Sequence, residues 1–192
     1  MHITRTRSTV AAALAGALLA VASPAIAQAQ SVQSDAGKPL QLSTLQQDRL
    51  AAAQIVGIKN VKSGKFLQPS GDSTANGARV VQQAGNDANS SQHWGMVQDG
   101  DFFSFENGRS GKNLGIDGAS TAAGAAAIQA NGSGDLNQDW LIVPQTSTEG
   151  VLQNRKSHLC LGISGASTAN GAQAAQFACD GSANQRWTFI VL

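Results

Sequence analysis

The chain repeats itself three times, and this periodicity constrains its fold more than any other feature. A segment of the type Ser-Thr-Ala-x-Gly ends at Gly77, Gly124 and Gly171, so that 47 residues separate each glycine from the next. A glutamine follows five residues later in every copy, at Gln82, Gln129 and Gln176. A period of this size, held at several independent positions, indicates three copies of one supersecondary unit that buries its apolar face against its neighbours.

Every tryptophan of the chain follows a glutamine by two residues. The three Gln-x-Trp motifs are Gln92-His93-Trp94, Gln138-Asp139-Trp140 and Gln185-Arg186-Trp187, and each lies near the end of one repeat. A large ring that recurs at the same place in every copy favours a packing role over a ligand platform. We therefore predict that Trp94, Trp140 and Trp187 lie in the core and that Gln92 and its counterparts bond backbone groups beside them.

Short runs with β-branched or aromatic residues alternate with clusters of Gly, Ser and Asn, which is typical of short β-strands. Such runs lie at 55–59, 101–105 and 188–191. Asn76-Gly77 and Asn170-Gly171 predict type I′ hairpin turns, since glycine adopts positive φ without a steric penalty. The sequence therefore predicts an all-β protein with roughly four strands in each repeat. The repeats span about residues 55–98, 101–144 and 149–192.

Three repeats packed around a pseudo-threefold axis would share one core and leave few free strand edges. A three-bladed propeller is the weaker alternative, because propellers typically have about four or more blades. The apolar positions that recur in the repeats are the candidates for the core: Leu67, Leu114, Leu161, Met96, Ile142 and Phe189.

The first 27 residues have the pattern of a secretory signal. Arg5 and Arg7 precede an apolar run at 10–22, and small residues favour cleavage after Ala27, with Ala29 as a second site. The run is shorter than the ~20 residues of a membrane span. We therefore expect a secreted, extracellular protein. A polar segment or short helix at 28–53, amphipathic at 45–51, would precede the repeat domain at 54–192.

Composition argues against several classes of partner. Without Arg5 and Arg7, eleven basic residues stand against twelve acidic ones, with no block of like charge. Nucleic acids and anionic membranes select basic patches, so neither is expected as a partner. No nucleotide-binding, metal-binding or cofactor-binding motif is present. We expect a monomer that needs no metal and no cofactor.

The chain has two cysteines, Cys160 and Cys179, and an even number in an exported protein favours a disulfide. A reactive pair or half of a metal site is the alternative. No histidine or further cysteine stands at metal-ligand spacing from either residue. A bridge over this short loop would stabilise the fold by about 3 kcal/mol in the chain-entropy model.

Three repeats of this length, each with a Gly-containing turn and a closing Gln-x-Trp, resemble the ricin-type β-trefoil domain, a secreted sugar-binding module. The resemblance covers residues 55–192. It implies a β-trefoil with pseudo-threefold symmetry and about twelve short strands. It also implies a disulfide within the third repeat, because Cys160 and Cys179 match the bridged pair of the family.

In that family each repeat can hold a shallow sugar pocket. The resemblance implies that four side chains contact the sugar: an Asp two places after the first Cys position, a Gln in the third strand, an aromatic two residues later, and an Asn just before Gln-x-Trp. Asp and Asn bond sugar hydroxyls, while the ring packs on the apolar face of the sugar. The matching residues form the predicted carbohydrate-binding set: Gln129, Asn137 and Gln138 in the second repeat, and Gln176, Asn184 and Gln185 in the third.

The sequence departs from this pattern in all repeats. Phe177 is one residue away from the aromatic position, so strand alternation predicts that its ring faces the core. Ser91 replaces the Asn in the first repeat. The Asp position is Gln68, Gly115 or Gly162, and the aromatic position is Ala84, Asn131 or Ala178. Candidate replacements for the Asp lie in nearby turns, where an Asp is usually a turn former: Asp72, Asp117 and Asp180.

The sequence thus predicts a carbohydrate-binding module with weak sites, up to three of which would add avidity. The alternative is a trefoil scaffold for protein–protein interaction that binds no sugar, because fold does not determine function. An enzyme is the least favoured reading, since no nucleophile or metalloprotease motif is present. Glycoside hydrolysis needs a carboxylate pair, for which Glu106 and Glu149 are the only glutamates. His93 and His158 are expected to face solvent.

The tryptophan assignment generates the first prediction. Replacing Trp94, Trp140 or Trp187 by Ala should lower the free energy of unfolding by about 3–5 kcal/mol, because each variant leaves a large cavity. Urea unfolding followed by circular dichroism measures the change. A loss below about 1 kcal/mol would contradict a core position.

Overall fold

The computed structural model of the protein describes residues 36–42 and 54–192. All of these residues fall within one compact unit, 34–192. The predicted signal at 1–27 and the predicted helix at 45–51 lie outside the described residues. Within the described ranges no helix is long and apolar enough to span a membrane.

Twelve β-strands make up the described part of the chain. They are β1 (Gln54–Asn60), β2 (Phe66–Pro69), β3 (Val80–Gln83), β4 (His93–Asp99), β5 (Phe102–Asn107), β6 (Asn113–Ile116), β7 (Ala127–Ala130), β8 (Trp140–Pro144), β9 (Glu149–Asn154), β10 (Cys160–Ile163), β11 (Ala174–Phe177) and β12 (Arg186–Val191). Short 3₁₀ turns lie at Ser70–Asp72, Ser90–Gln92, Asp117–Ala119, Leu136–Gln138 and Ser164–Ala166.

Six of the strands close into a barrel, and the other six form three hairpins. The ring of antiparallel pairs runs β1, β4, β5, β8, β9, β12 and back to β1. The hairpins are β2–β3, β6–β7 and β10–β11, one in each repeat. They meet around the pseudo-threefold axis through single β-bridges: Arg79 with Ile128, Val81 with Gln173 and Ala126 with Ala175. This arrangement confirms the predicted β-trefoil and excludes the propeller.

The tryptophans form the centre of the core, as predicted. Trp94, Trp140 and Trp187 have no solvent exposure. Each indole Nε1 donates to a backbone carbonyl of its own repeat at 3.0 Å, and the acceptors are Leu67, Leu114 and Leu161. Each buried indole N–H therefore has a hydrogen-bond partner, which avoids the free-energy cost of burying an unpaired polar group. The six apolar residues predicted for the core are all buried: Leu67, Leu114, Leu161, Met96, Ile142 and Phe189.

The segment 36–42 lies outside the repeats in sequence but belongs to the same core. Leu40 and Leu42 are buried in the main apolar cluster. Leu40 N donates to Phe189 O at 2.7 Å, and Leu42 N donates to Ser147 O at 2.9 Å, in the turn between β8 and β9. The segment therefore packs at the end of the barrel that holds the β8–β9 turn and the last residues of β12, opposite the three hairpins. The polar character of the flanking sequence gave no signal for these two leucines.

The turns of the Ser-Thr-Ala-x-Gly segments differ from the prediction. Gly77 and Gly171 have φ of 80° and 76°, but neither Asn76 nor Asn170 has positive φ. A type I′ turn requires positive φ at both central residues, so that prediction is wrong. The two asparagines instead cross to a neighbouring repeat, where Asn76 Oδ1 accepts from Asn131 N at 2.7 Å and Asn170 Oδ1 accepts from Ala84 N at 3.1 Å.

A ring of buried glutamines joins the repeats. Gln129 is fully buried; its Nε2 donates to Ser73 O at 2.8 Å and to Ala75 O at 2.9 Å in the first repeat's turn. Its Oε1 accepts from Ser110 Oγ at 2.7 Å. Gln176 holds the second repeat's turn in the same way, and Gln82 holds the third repeat's turn. We call Gln82, Gln129 and Gln176 the clamp glutamines.

The clamp generates the second prediction. Gln129→Leu keeps the volume but removes a hydrogen-bond partner from two backbone carbonyls and a hydroxyl, and each buried group left unpaired costs about 1–3 kcal/mol. Some of these groups are partly buried, so we expect a fall of about 2–4 kcal/mol in the free energy of unfolding. Urea unfolding measures it. The control is Gln98→Leu, because Gln98 is exposed and its amide bonds Gly100 O in the turn between β4 and β5. Equal losses in the two variants would contradict the clamp.

Candidate functional site

An open cleft of about 380 Å³ lies on the third repeat. It is bounded by the β10–β11 hairpin on one side and by the loop that leads into β12 on the other. We call it the third-repeat cleft; its lining residues are Ile163, Gly165, Ala166, Phe177, Ala178, Asp180, Asn184 and Gln185.

Phe177 supplies the aromatic surface of the cleft. Its ring is half-buried and lines the cleft instead of joining the core cluster, so the prediction that it faces the core is wrong. The alternation argument placed Gln176 on the ligand side of β11 and Phe177 on the core side. Gln176 in fact points inward, to the turn that it clamps. Because successive side chains of a strand point in opposite directions, Phe177 faces outward.

Asn184 and Asp180 form the polar wall opposite the ring. Asn184 Oδ1 accepts from Ser182 Oγ at 2.6 Å, and Asp180 Oδ1 accepts from Ser182 N at 2.9 Å. The hydrogen bonds from Ser182 hold the pKa of the Asp180 carboxyl below its usual value of 3.8. The wall therefore carries a negative charge throughout the neutral and mildly acidic range.

Gly162 forms the floor of this cleft. A Cβ at this position would lie 3.0 Å from Gln185 Cγ, 3.3 Å from Phe177 Cδ2 and 3.5 Å from Asn184 Nδ2. The glycine thus lets the ring and the amide approach the floor closely. A larger side chain at this position would first meet Gln185 and then the ring of Phe177.

The second repeat has the same floor and amide but no ring. A Cβ at Gly115 would meet Gln138 Cγ at 3.0 Å and Asn137 Nδ2 at 3.5 Å. Asn137 is only 6% exposed, and its Nδ2 donates to Ile116 O at 3.1 Å. Its Oδ1 is buried and finds no hydrogen-bond partner among the described residues. Ala130 stands where the third repeat has Phe177, so no aromatic surface is available.

In the first repeat, side chains of the protein itself fill the corresponding space. Gln68, at the position of Gly162, is 5% exposed. Its Nε2 donates to Asp72 Oδ1 at 2.9 Å, and its Oε1 accepts from Gln92 Nε2 at 2.8 Å. Asn89 Nδ2 also donates to Asp72 Oδ1 at 2.9 Å, and this bond is the main cause of the lowered pKa of the Asp72 carboxyl.

The glutamines predicted to bind sugar use their amide groups in hydrogen bonds within the protein, so that part of the prediction needs correction. Gln129 and Gln176 are clamp glutamines with no exposure. Gln138 is 4% exposed, donates to Asn131 O and accepts from Ser133 N. Gln185 is 3% exposed, donates to Ala178 O and accepts from Asp180 N. Gln92 makes the matching pair of bonds, with Ala84 O and Asn86 N, which confirms its predicted structural role.

The disulfide between Cys160 and Cys179 is present, as predicted, with the two Cα atoms 5.0 Å apart. It ties the start of β10 to the loop that carries Asp180. The disulfide therefore supports the cleft from outside, and neither cysteine is among the lining residues.

The remaining candidates lie away from the cleft. Asp117 and His158 are exposed, whereas His93 is half-buried with its ring Nε2 3.0 Å from Asp87 O. Glu106 is exposed on β5, and Glu149 pairs with Arg186 at 3.7 Å. No group of three or more His, Cys, Asp or Glu residues in 36–42 and 54–192 could hold a metal ion.

Comparison with solved structures returns proteins of the same architecture. The designed threefold-symmetric protein ThreeFoil is 32% identical, with a TM-score of 0.70 over 72% of this chain and 99% of its own. The exo-β-1,3-galactanase 1,3Gal43A from Clostridium thermocellum is 25% identical, with a TM-score of 0.70 over 73% of this chain but 31% of the enzyme.

The ricin B-like lectin of Macrolepiota procera, solved in complex with lactose, is 21% identical, with a TM-score of 0.63 over 74% of this chain and 98% of the lectin. At this identity the likeness concerns the fold. A search of curated proteins finds no significant match. The family model described as ricin-type beta-trefoil lectin domain-like matches residues 44–130 and 136–191, most of the chain. With its three Gln-x-Trp repeats and its closed barrel, the chain belongs to the ricin-type beta-trefoil lectin domain-like family.

Proposed function

We propose that the protein is a secreted carbohydrate-binding module whose principal site is the third-repeat cleft. The observation that carries this proposal is the convergence of an aromatic ring, Phe177, and an amide, Asn184, on one open cleft. The lectin-like family supports carbohydrate binding in general and points to a binding module instead of an enzyme. The disulfide agrees with an oxidising compartment, and the signal pattern at 1–27 agrees with export.

The chemistry of the cleft suits a sugar ring. The C–H-rich face of a hexose packs on an aromatic ring, while its hydroxyls need donors and acceptors at the edge. Phe177 offers the apolar surface. Asn184 Oδ1 is already bonded to Ser182 Oγ, which leaves its Nδ2 to donate to a sugar oxygen.

One working site for each chain is the expected stoichiometry. The second repeat lacks a ring, and the first is filled by Gln68, so neither combines the elements that a sugar needs. A shallow, solvent-exposed site with few polar groups binds weakly, and we expect a dissociation constant of about 1 mM or higher for a monosaccharide.

A protein–protein scaffold remains the second candidate function, and the self-filled first repeat favours it. Gln68 and Asp72 there use the space that a ligand would need. Affinity capture from a culture supernatant should then enrich one protein whether or not free sugars are added. Capture that competing sugars abolish would favour the carbohydrate-binding proposal instead.

The third prediction tests the site. Phe177→Ala and Asn184→Ala should each weaken binding to a glycan identified on an array by about tenfold, because each removes one of the groups that touch the sugar; tenfold corresponds to about 1.4 kcal/mol. Asn137→Ala, the same change in the second repeat, is the matched control and should leave the affinity within about twofold.

Ligand-detected NMR and isothermal titration measure the affinities, and thermal unfolding verifies that each variant is folded. Equal losses for Asn184→Ala and Asn137→Ala would contradict a single site. No retention of the wild type by any glycan or polysaccharide would exclude carbohydrate binding.

The fourth prediction is a gain of binding. Ala130→Phe should place a ring beside Gly115 and Asn137, in the arrangement that Phe177 has with Gly162 and Asn184. The number of bound sugars for each chain should rise from one to two, with the new site weaker because Ser133 replaces Asp180. Titration at protein concentrations near the dissociation constant gives the stoichiometry. An unchanged value for a folded variant would show that the ring is insufficient.

A further inference from the structure

At one loop position the third-repeat cleft has a carboxylate where the other two repeats have neutral side chains. The backbone N of Asp180 donates to Gln185 Oε1 at 3.1 Å. Asn86 N and Ser133 N make the same bond to Gln92 Oε1 and Gln138 Oε1, at 2.9 and 3.2 Å. These bonds identify Asn86, Ser133 and Asp180 as the same position in the three repeats. The carboxylate therefore occurs in the one repeat that also has a ring in its cleft.

The turn itself does not need this charge. Asp180 Oδ1 accepts from Ser182 N at 2.9 Å, closing a short turn. In the first repeat a neutral amide does the same, since Asn86 Oδ1 accepts from Ala88 N at 3.1 Å. An uncharged side chain is thus sufficient for the local structure, so the negative charge has no structural explanation in the loop.

No positive side chain of residues 36–42 and 54–192 forms an ion pair with this carboxylate. Asp180 is the one titratable residue among those that line the cleft. It is exposed, and within 36–42 and 54–192 it forms no ion pair. A carboxylate beside an aromatic face is a combination that attracts an ammonium group, through charge attraction and through the cation–π effect.

Resting on the proposed function, we propose that the third-repeat cleft prefers sugars that carry a protonated amino group, the 2-amino-2-deoxyhexoses and their polymers, over neutral hexoses. In this arrangement the sugar ring packs on Phe177 while its ammonium group faces Asp180. Sugars that carry a carboxylate are disfavoured at the same site, because like charges repel.

The expected preference is modest because the cleft is open to water. Two unit charges about 4 Å apart in a high-dielectric medium attract only weakly. We expect the amino sugar to bind about fivefold more tightly than its neutral counterpart at low ionic strength, which corresponds to about 1 kcal/mol. Salt at about 1 M, where the Debye length is about 3 Å, should remove most of this difference.

The pH dependence follows from the two charges. The pKa of Asp180 lies below its usual value of 3.8, so the carboxylate stays charged as the pH falls from neutral to mildly acidic. On the alkaline side the preference disappears when the amino group of the sugar loses its proton. A preference that vanishes with rising pH while neutral-sugar binding persists would identify the ammonium group as the recognised element.

The test compares methyl glycosides of glucose, glucosamine, N-acetylglucosamine and glucuronic acid, titrated into the mature protein at low and high salt. The measured quantity is the ratio of affinities between the amino and the neutral sugar. Asp180→Asn removes the charge and keeps the turn, as Asn86 shows, and should bring the ratio from about five to about one. Asp117→Asn, which removes an exposed charge in the second repeat, should leave the ratio at about five. Propylammonium, which has the charge without the sugar ring, should not bind measurably.

The outcomes separate the two proposals. If the neutral glycoside binds and the amino glycoside binds no better, or if Asp180→Asn keeps the ratio, the preference for amino sugars is wrong while carbohydrate binding stands. If propylammonium binds as tightly as the amino glycoside, the cleft is a simple cation site. If none of the four glycosides binds, the preference for amino sugars is wrong, and carbohydrate binding fails with it only when no glycan on the array retains the protein.

Discussion

The fold depends on hydrogen bonds that run between repeats, because no single repeat can bury its own apolar face. Each clamp glutamine uses its whole amide group for this purpose, with the carbonyl bound within its repeat and the amino group bound to the neighbouring turn. The three clamps form a closed ring, so the loss of one weakens the contact between two repeats. The tryptophans bond, through their Nε1 atoms, to the hairpins that these clamps join.

The fold was predictable because its signal is repeated. A single Gln-x-Trp carries little information, whereas three at matching positions, together with three turns 47 residues apart, determine the number of units and their symmetry. The buried tryptophans and recurring leucines followed from the same periodicity. Leu40 and Leu42 did not, because they occur once, in a polar segment outside the repeats, and only the barrel end shows why they are buried.

The site was less predictable, and the error had one physical origin. The side of β11 on which Gln176 points was taken from the family resemblance, in which the Gln of this strand contacts the sugar. In this structure the polar atoms of Gln176 are satisfied by backbone carbonyls of the neighbouring repeat, a contact between residues 54 and 56 positions apart. Local sequence carries no trace of that partner. Once the side of Gln176 was misassigned, strand alternation necessarily misassigned Phe177 as well.

The three repeats hold the loop after the hairpin next to the first hairpin strand by different interactions, and this explains why their clefts differ. At the start of the hairpin, the third repeat ties the strand to the following loop by the disulfide of Cys160 and Cys179. The second repeat uses a hydrogen bond from Asn113 Nδ2 to Gln138 Oε1 at 3.1 Å.

The first repeat makes the tie with Phe66, whose ring lies against Gly85, where a Cβ would come within 2.9 Å. Packing, hydrogen bonding and covalent bonding are interchangeable at this position because each keeps the loop next to the strand. The cleft residues beside the tie therefore differ among the repeats while the loop stays next to the strand. The third repeat, with its loop held covalently, keeps Phe177, Asn184 and Asp180 around an open space, whereas the first repeat fills the same space with Gln68.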